Sequence, residues 1–244
     1  MPPIRLGCKG TGHNKDIKPN REDCVGTLYG INQRTLQDRF DTRRLADKVE
    51  QLVVQPEVSD MDKAFIESRD MFWLSTIDDE GRPTVSYKGG DPGFVKVVDS
   101  KTIAFPLYDG NGMFYSAGNI MGNGKVGLLF MNFETPQRVR LQGVASVREN
   151  DPLTTQFVEA QMVVRVAVTE VWPNCPRYVH RYQKVKASRY VPRAQCETPL
   201  AGWKRIDLIQ ADLPAKDQGK AEKAGGLLSM EDWFGKVVQG NPEA

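Results

Sequence analysis

The stretch that decides the fold is FPLYDGNGMFYSAGNI, residues 105–120. An apolar run is followed by a loop rich in glycine and asparagine, and then by apolar residues at helical spacing, which predicts a strand, a tight loop and a short helix over residues 113–121. The N–H groups of such a loop, together with the positive end of the helix, form a site for an anion such as a phosphate. The alternative is a plain turn in which Asp109 or Asn111 caps the helix.

Short strands surround this stretch on both sides. The alternation of apolar and polar side chains over residues 138–148 is typical of a strand with one buried face, and Asp79-Glu80-Gly81 predicts a hairpin turn. The predicted strands cover residues 71–77, 83–88, 94–98, 102–105, 125–130, 138–148 and 162–171. This pattern predicts a mainly β protein of the α+β class, built as a small closed barrel or a sandwich.

The remaining segments predict an irregular arm, flanking helices and a tail. Residues 1–32 are rich in glycine, proline and polar residues, whereas residues 33–54 and 60–69 carry helical periodicity. The helix over residues 33–54 either packs on the main domain or contacts a second chain. We expect three regions: an N-terminal arm with an amphipathic helix, a barrel domain and a C-terminal extension. They cover residues 1–58, 59–185 and 186–244, respectively.

Composition excludes several classes of function. The formal net charge of the 244 residues is +2, which gives no electrostatic reason to expect a nucleic-acid partner. No apolar run is long enough for a membrane span, and the N-terminus lacks the apolar segment of a signal peptide, so we expect a cytoplasmic protein. The four cysteines (Cys8, Cys24, Cys175 and Cys196) fit no zinc spacing and are expected to be reduced and free of metal. The two histidines, His13 and His180, make a histidine-based metal site or triad improbable.

Several side chains are candidates for binding a phosphate-bearing cofactor. Lys88 ends a predicted strand just before two glycines, and Arg138 and Arg140 share one strand face. Each of these cations could instead be a solvated charge on a strand. A flavin would also need hydrogen-bond donors and an apolar wall, which Ser86, Tyr87, Gln142 and the backbone near Pro106 and Leu107 could supply. The sequence contains no GxGxxG motif opening a helix, no P-loop and no GxSxG motif.

The order of these motifs resembles that of a known family. GRP, KGGDPGFV, FPLYDGNGMFYSAGNI and KVGLLFMNFETPQRVRLQGVASV occur in that sequence, followed by VVRVAVTEVWPNCPRYVHRYQ and SRYVPRAQCETPLAGWKR. The ordered set is similar to the pyridoxamine 5′-phosphate oxidase-like family of FMN-binding split barrels. The resemblance covers about residues 60–205. It implies a six-stranded split β-barrel with flanking helices, a homodimer, a small-molecule substrate and an FMN at each subunit interface.

The resemblance also implies roles for individual residues. Three groups would surround the flavin: a strand after the first hairpin, the segment along the flavin ring, and the loop with its helix start. These are Ser86, Tyr87 and Lys88; Phe105, Pro106 and Leu107; and Asn111, Tyr115, Ser116 and Asn119. The barrel face would contribute Arg138, Arg140 and Gln142 to the flavin site, either of the same subunit or of the partner. No catalytic residue is identified.

Two departures from the family pattern bear on function. Better-known members place an arginine or lysine at the start of the short helix, where this chain has Met113-Phe114-Tyr115-Ser116. A phosphate here would depend on hydroxyl groups, loop amides and Lys88 or an arginine from elsewhere. The Arg-x-His segment that binds the substrate phosphate in the true oxidase is not evident, because Arg177 and His180 have a different spacing.

Three functions therefore stay open at the level of sequence. The first is an FMN-dependent oxidoreductase, in which Arg138 or Arg140 would favour the anionic reduced flavin. The second is a split-barrel protein that carries a flavin or haem without turnover. The third is a deazaflavin-dependent reductase, since this type of barrel also hosts that cofactor.

Overall fold

A computed structural model of the chain describes residues 28–244. Cys8, Cys24 and His13 therefore lie outside the described residues, together with the prediction that the two cysteines are reduced. Most of the irregular arm predicted over residues 1–32 lies outside them too. Contacts within the chain divide it into two compact units, whose boundary lies between residues 52 and 53.

Two helices occupy the place of the single helix predicted over residues 33–54. They are α1 (Ile31–Arg39) and α2 (Arg43–Val53). Asp41 lies between them with a φ of 51°, a left-handed conformation that a helix cannot continue through and that aspartate tolerates better than most residues. The apolar side chains that predicted this helix are exposed in the structure: Leu36, Phe40, Leu45, Val49 and Leu52. Their packing on the main domain or on a second chain stays a prediction.

Seven strands and four further helices make up the second unit. The strands are β1 (Met71–Ile77), β2 (Pro83–Gly89), β3 (Lys96–Asp99), β4 (Thr102–Leu107), β5 (Lys125–Asn132), β6 (Gln137–Arg148) and β7 (Met162–Asn174). The helices are α3 (Asp60–Glu67), α4 (Tyr115–Gly122), α5 (Lys220–Lys223) and α6 (Met230–Val238). Each strand predicted from the sequence is present, with ends shifted by at most three residues.

The strands form one antiparallel sheet with the order β2-β1-β5-β6-β7-β4-β3. The α+β class, with a mainly antiparallel sheet and flanking helices, is confirmed. The closed six-stranded barrel is not, because the sheet has seven strands and its edge strands, β2 and β3, do not pair with each other. The seven strands correspond to the seven segments with strand signals, one more than the six strands that the resemblance implies.

The two-residue period of a strand explains which side chains are buried. In β6, Val139, Leu141 and Ala145 are buried, whereas Arg140 and Gln142 on the opposite face are exposed. A one-residue shift of register would exchange these faces, so the hydrophobic pattern specifies the pairing.

Aromatic side chains form the centre of the core. The Phe72 ring lies 4.9 Å from that of Phe105, 5.1 Å from that of Phe130 and 5.8 Å from that of Phe94, measured between ring centroids. Phe72, Phe105 and Phe130 have no exposed surface and belong to the core. Phe114, the N-cap residue of α4, is exposed.

Local signals position the elements that lead to the site. Ser59 caps α3 in a capping box with Asp62, one residue before the predicted cap at Asp60. The predicted hairpin turn joins β1 to β2, and Gly81 there has a φ of 78°, which a glycine adopts without steric cost.

The C-terminal extension contains buried side chains, although its sequence predicts an irregular tail. Ile206, Leu213 and Ala221 are buried. The buried Arg205 donates hydrogen bonds of 2.7 and 2.8 Å to the carbonyl oxygens of Gly225 and Gly226. These interactions are missed by sequence periodicity because they join short turns.

Within residues 28–244 the structure contains no helix that is long and apolar enough to cross a membrane. The cytoplasmic location stays a prediction.

Candidate functional site

Three side chains from β2 and α4 meet at the edge of the sheet. The hydroxyl oxygens of Ser86 and Ser116 lie 3.2 Å apart, and the Lys88 ammonium donates a hydrogen bond of 3.4 Å to Ser116. Ser86 and Lys88 pair with Leu74 and Phe72 of β1, so they project on the same face of the sheet as the buried core. We call Ser86, Lys88 and Ser116 the Lys88 cluster.

Lys88 carries a positive charge that the described protein does not balance. Its side chain is partly buried, and burial lowers the pKa of its ammonium group. Among residues 28–244, no carboxylate lies within ion-pair distance of Lys88, and Ser116 is its recorded hydrogen-bond partner. A desolvated cation with a hydroxyl partner favours an anionic ligand, which would restore the lost solvation.

The start of α4 adds hydrogen-bond donors beside the cluster. Its N-cap residue, Phe114, has the left-handed φ of 48°, and no side chain caps this end of the helix. The first N–H groups of a helix have no partner within the helix, and the helix dipole makes this end positive. Neither Asp109 nor Asn111 is the cap that the alternative interpretation requires.

Two hydrogen bonds hold α4 against the β1 side of the sheet. The side-chain amide of Asn119 donates a buried hydrogen bond of 3.0 Å to Thr76 Oγ1. The Tyr115 hydroxyl donates a hydrogen bond of 3.2 Å to the Asp78 carboxylate. Asn119 and Tyr115, both predicted to contact the cofactor, therefore also position the helix that carries Ser116.

Asp78 anchors the hairpin turn rather than offering a free acid. The Arg82 side chain donates a hydrogen bond of 2.7 Å to the Asp78 carboxylate, and the Arg82 backbone N–H donates another of 2.8 Å. Burial acts to raise the pKa of Asp78, but these hydrogen bonds outweigh it and the pKa lies below its ordinary value. The carboxylate is thus held ionised and engaged.

The glycine-rich loop before α4 is held at both ends. Asn111 Oδ1 accepts a hydrogen bond of 3.2 Å from the backbone N–H of Met113, so its side chain turns back on the loop. Asp109 forms ion pairs with Lys204 and Lys216 of the C-terminal extension. It also accepts a hydrogen bond of 3.1 Å from the side-chain amide of Gln161. Neither lysine is a sequence-predicted site residue, because nothing in local spacing brings residues about a hundred positions apart together.

The predicted ring-binding segment lies in the core. Phe105 has no exposed surface, and Pro106 and Leu107 are also buried in β4. The Phe105 side chain packs on Phe72, so in this chain it belongs to the core. Its role beside a flavin stays a prediction.

The other predicted residues lie on the opposite face of the sheet. Tyr87 pairs with Trp73, Trp73 with Leu129, and Leu129 with Arg140 across β2, β1, β5 and β6. Arg138 and Gln142 share this face with Arg140 because they are two residues away along β6. The structure therefore brings Ser86, Lys88 and Ser116 together but separates them from Tyr87 and the two arginines.

Metal binding finds no support in the described residues. Within residues 28–244, no group of three histidine, cysteine, aspartate or glutamate side chains could hold a metal ion. Cys175 and Cys196 are free and exposed, and their reduced state stays a prediction.

The family comparison covers the sheet and the cluster. A family model for pyridoxamine 5′-phosphate oxidase matches residues 58–187, more than half of the 244-residue chain. A search of curated proteins found no match.

A comparison with solved structures found 81 matching chains. HupZ from Group A Streptococcus is 16% identical, with 52% of this chain and 99% of that chain covered and a TM-score of 0.40. HutZ, the heme storage protein from Vibrio cholerae, is 20% identical over 46% of this chain and 89% of that chain, with a TM-score of 0.35. The FAD binding protein from Mycobacterium smegmatis is 16% identical over 49% of this chain and 97% of that chain, with a TM-score of 0.35. Similarity at this level carries no functional argument.

Proposed function

The chain belongs to the pyridoxamine 5′-phosphate oxidase family, and on that premise we propose that it is an FMN-binding oxidoreductase whose Lys88 cluster holds the cofactor phosphate. One observation carries the proposal. A partly buried lysine, with no carboxylate partner among residues 28–244, lies beside two hydroxyl groups at a helix start that no described side chain caps. Each of these groups donates to, or attracts, a dianion.

The residues of the cluster fit a phosphate by their chemistry. Lys88 supplies the charge, Ser86 and Ser116 supply hydroxyl donors, and the first amides of α4 supply further donors. The cluster lacks the arginine or lysine at the helix start of better-known members, and Lys88 reaches Ser116 from the neighbouring strand instead. The phosphate would thus be bound by one cation and by neutral donors.

When bound, FMN supplies the electron transfer, and the protein supplies orientation and electrostatics. The hydrogen bonds from Tyr115 to Asp78 and from Asn119 to Thr76 would keep Ser116 in place. Arg140 is exposed on the other face and could place a positive charge beside a flavin bound at a subunit interface. Such a charge would favour the anionic reduced flavin.

We also propose a homodimer of the split-barrel type. The face that carries Arg140 and Gln142 exposes large apolar side chains, with Val85 65%, Tyr87 63% and Val144 53% exposed. Arg138 of the same face has a buried Nε atom without a hydrogen-bond partner in the described residues. A second copy covering this face would bury the apolar groups and bring its arginines towards a cofactor of the first copy.

A cavity beside Tyr87 supports a small-molecule substrate. Its volume is about 550 Å³, and Tyr87, Phe133 and Tyr182 contribute aromatic walls. This size and lining are ordinary for a small-molecule site. The chemical identity of the substrate stays open.

Titration with FMN and with riboflavin tests the proposal, because the two ligands differ only in the phosphate. We expect Lys88→Met to weaken FMN binding about tenfold or more, since a hydrogen bond to a charged group contributes roughly 1.5–3 kcal/mol. Riboflavin binding should change by less than about twofold, as no charged partner is lost. Quenching of flavin fluorescence provides the measurement.

Lys125→Met is the matched control, since Lys125 is an exposed lysine at the start of β5. It should leave both affinities unchanged. Wild-type protein that takes up neither flavin would overturn the proposal, and equal losses for FMN and riboflavin in Lys88→Met would remove the phosphate from the Lys88 cluster.

A carrier without turnover is the second candidate. One observation favours it: Asp78, the acid to which Tyr115 of α4 donates, is engaged by Arg82, and the Lys88 cluster itself contains no acid or base other than Lys88. Reduction of the bound flavin by NADH or NADPH at a useful rate would exclude this candidate.

A deazaflavin or haem in place of FMN remains a distinguishable alternative. Parallel titrations with FMN, a deazaflavin and haem would identify the preferred ligand. His180, the histidine of the described part of the chain, is exposed after β7, so the structure offers no buried histidine there as a haem ligand.

A further inference from the structure

Asp109 places a negative charge in the loop that leads to the proposed phosphate site. It lies between β4 and α4, six residues before Tyr115, in a segment whose glycines leave the backbone amides accessible. An unpaired carboxylate at this point would oppose the approach of a dianion.

The C-terminal extension cancels this charge with two lysines. Lys204 is buried and forms ion pairs with both Asp109 and Asp217, the latter at 2.7 Å. Lys216 reaches Asp109 at 2.5 Å, and Lys220 lies 3.8 Å from Asp217. Three lysines of the extension therefore surround two carboxylates, those of Asp109 and Asp217. The group as a whole carries one net positive charge, whereas Asp109 alone would make the loop negative.

The ionisation states agree with this arrangement. Burial acts to raise the pKa of Asp109, but the hydrogen bonds from Lys204 and Lys216 outweigh it, so the pKa lies below its ordinary value. Burial likewise acts to lower the pKa of Lys204, but Asp109 and Asp217 raise it overall. Asp109 and Lys204 are therefore held in their charged forms.

The same groups border a space large enough for a ligand. Asp109, Lys204 and Lys216 line a cavity of about 790 Å³ together with Tyr108. The ion pairs of Asp109 are therefore open to this cavity rather than sealed from solvent, although none of the Lys88 cluster residues lines it.

We propose that Lys204 and Lys216 of the C-terminal extension are positioning residues for the cofactor phosphate, which neutralise Asp109 and hold the loop before α4 open to an anion. Both lysines lie beyond residues 58–187, the segment that the family model matches. The extension would thus contribute to the site what the family-matched region lacks, a second source of positive charge. This inference rests on the proposed function.

The test measures FMN and riboflavin affinities of Lys216→Met and Lys204→Met at low ionic strength. We expect FMN binding to weaken about fivefold in each variant, with riboflavin binding nearly unchanged, since only FMN carries the charge that Asp109 would repel. The Lys216→Met variant is expected to stay folded, because the Lys216 side chain is 52% exposed. It therefore reports on binding even if Lys204→Met fails to fold.

The control and the rescue separate electrostatics from structure. Lys125→Met removes an exposed lysine at the start of β5, outside the ion pairs of Asp109 and Asp217, and should leave the FMN affinity unchanged. Adding Asp109→Asn to Lys216→Met removes the uncompensated charge and should restore FMN binding, which a purely structural role of Lys216 does not predict.

The results that would overturn this inference differ from those that would overturn the proposed function. Wild-type binding of FMN with no selective loss in Lys216→Met, or with no rescue by Asp109→Asn, would overturn this inference and leave the proposed function intact. A wild-type protein that binds no flavin would overturn both.

Discussion

Asp151 has a side chain with no exposed surface, and the Arg165 guanidinium donates two hydrogen bonds to it, at 2.6 and 2.9 Å. The hydrogen bond from Arg165 is the largest influence on the carboxyl and, against the opposing effect of burial, lowers the pKa of Asp151 below its ordinary value of 3.8. A carboxyl whose pKa is lower in the folded state stabilises the fold above its unfolded pKa. That contribution is lost as the pH falls below about 3.8 through the folded pKa.

We therefore expect Asp151→Asn to destabilise the protein at pH 7 by about 1–3 kcal/mol, because a charged hydrogen bond to Arg165 is lost. The variant should also lose less stability than the wild type between pH 5 and pH 2, and urea unfolding at several pH values measures both effects. Glu149→Gln, an exposed neighbour, is the control and should behave as the wild type. Parallel pH curves for Asp151→Asn and the wild type would contradict the assignment.

At the scale of the element, β6 and β7 depend on a glycine at a bulge. Their register shifts between Gln142 and Gly143, and a Cβ atom at Gly143 would lie 2.3 Å from the carbonyl oxygen of Ala167. Because the obstacle is backbone, the strands would have to move apart to admit a methyl group.

Gly143→Ala is expected to destabilise the sheet by about 1–3 kcal/mol, the usual cost of overpacking. Gly118→Ala in α4 is the matched substitution, since a Cβ atom there meets nothing within 4 Å. It should stabilise the protein by about 0.5–1 kcal/mol through helix propensity. Thermal unfolding of the two variants measures the contrast, and a neutral Gly143→Ala would refute the bulge argument.

At the scale of the whole molecule, the proposed dimer depends on the exposed face of the sheet. Val85 lies on this face in the edge strand β2 and is 65% exposed. Val98 on β3, 43% exposed, lies at the opposite edge of the sheet.

We expect Val85→Glu to convert a dimer into a monomer, because it would place a charge in a buried apolar interface. Light scattering coupled to gel filtration gives the mass, and Val98→Glu should leave it unchanged. A wild-type protein that is monomeric at micromolar concentration would exclude the homodimer.

The family pattern and the structure disagree on one point of this scale. The resemblance implies six strands in a closed barrel, whereas the sheet formed by residues 28–244 has seven strands, and its edge strands β2 and β3 do not pair with each other. The position of each strand segment was predictable because strand signals are local, but closure depends on which distant edges pair, and no local pattern encodes that.

Local sequence was sufficient for the elements and for part of the site. The alternation in β6 predicts its buried face, and Lys88 was recognised as a candidate from its place at a strand end. The break at Asp41 was missed because the apolar spacing continues through it, while a left-handed φ leaves no periodic trace.

What the sequence by itself determined is the position of each strand and the side chains that fill the core, because side-chain direction repeats every two residues along a strand. Only the tertiary structure decided that Lys88 meets Ser116, that Arg140 lies on the other face, and that Lys204 reaches Asp109. The reason is physical. Burial periodicity is set by neighbours in the chain, whereas ion pairs and hydrogen bonds between distant residues depend on register and on the packing of elements that the chain brings together only when it folds.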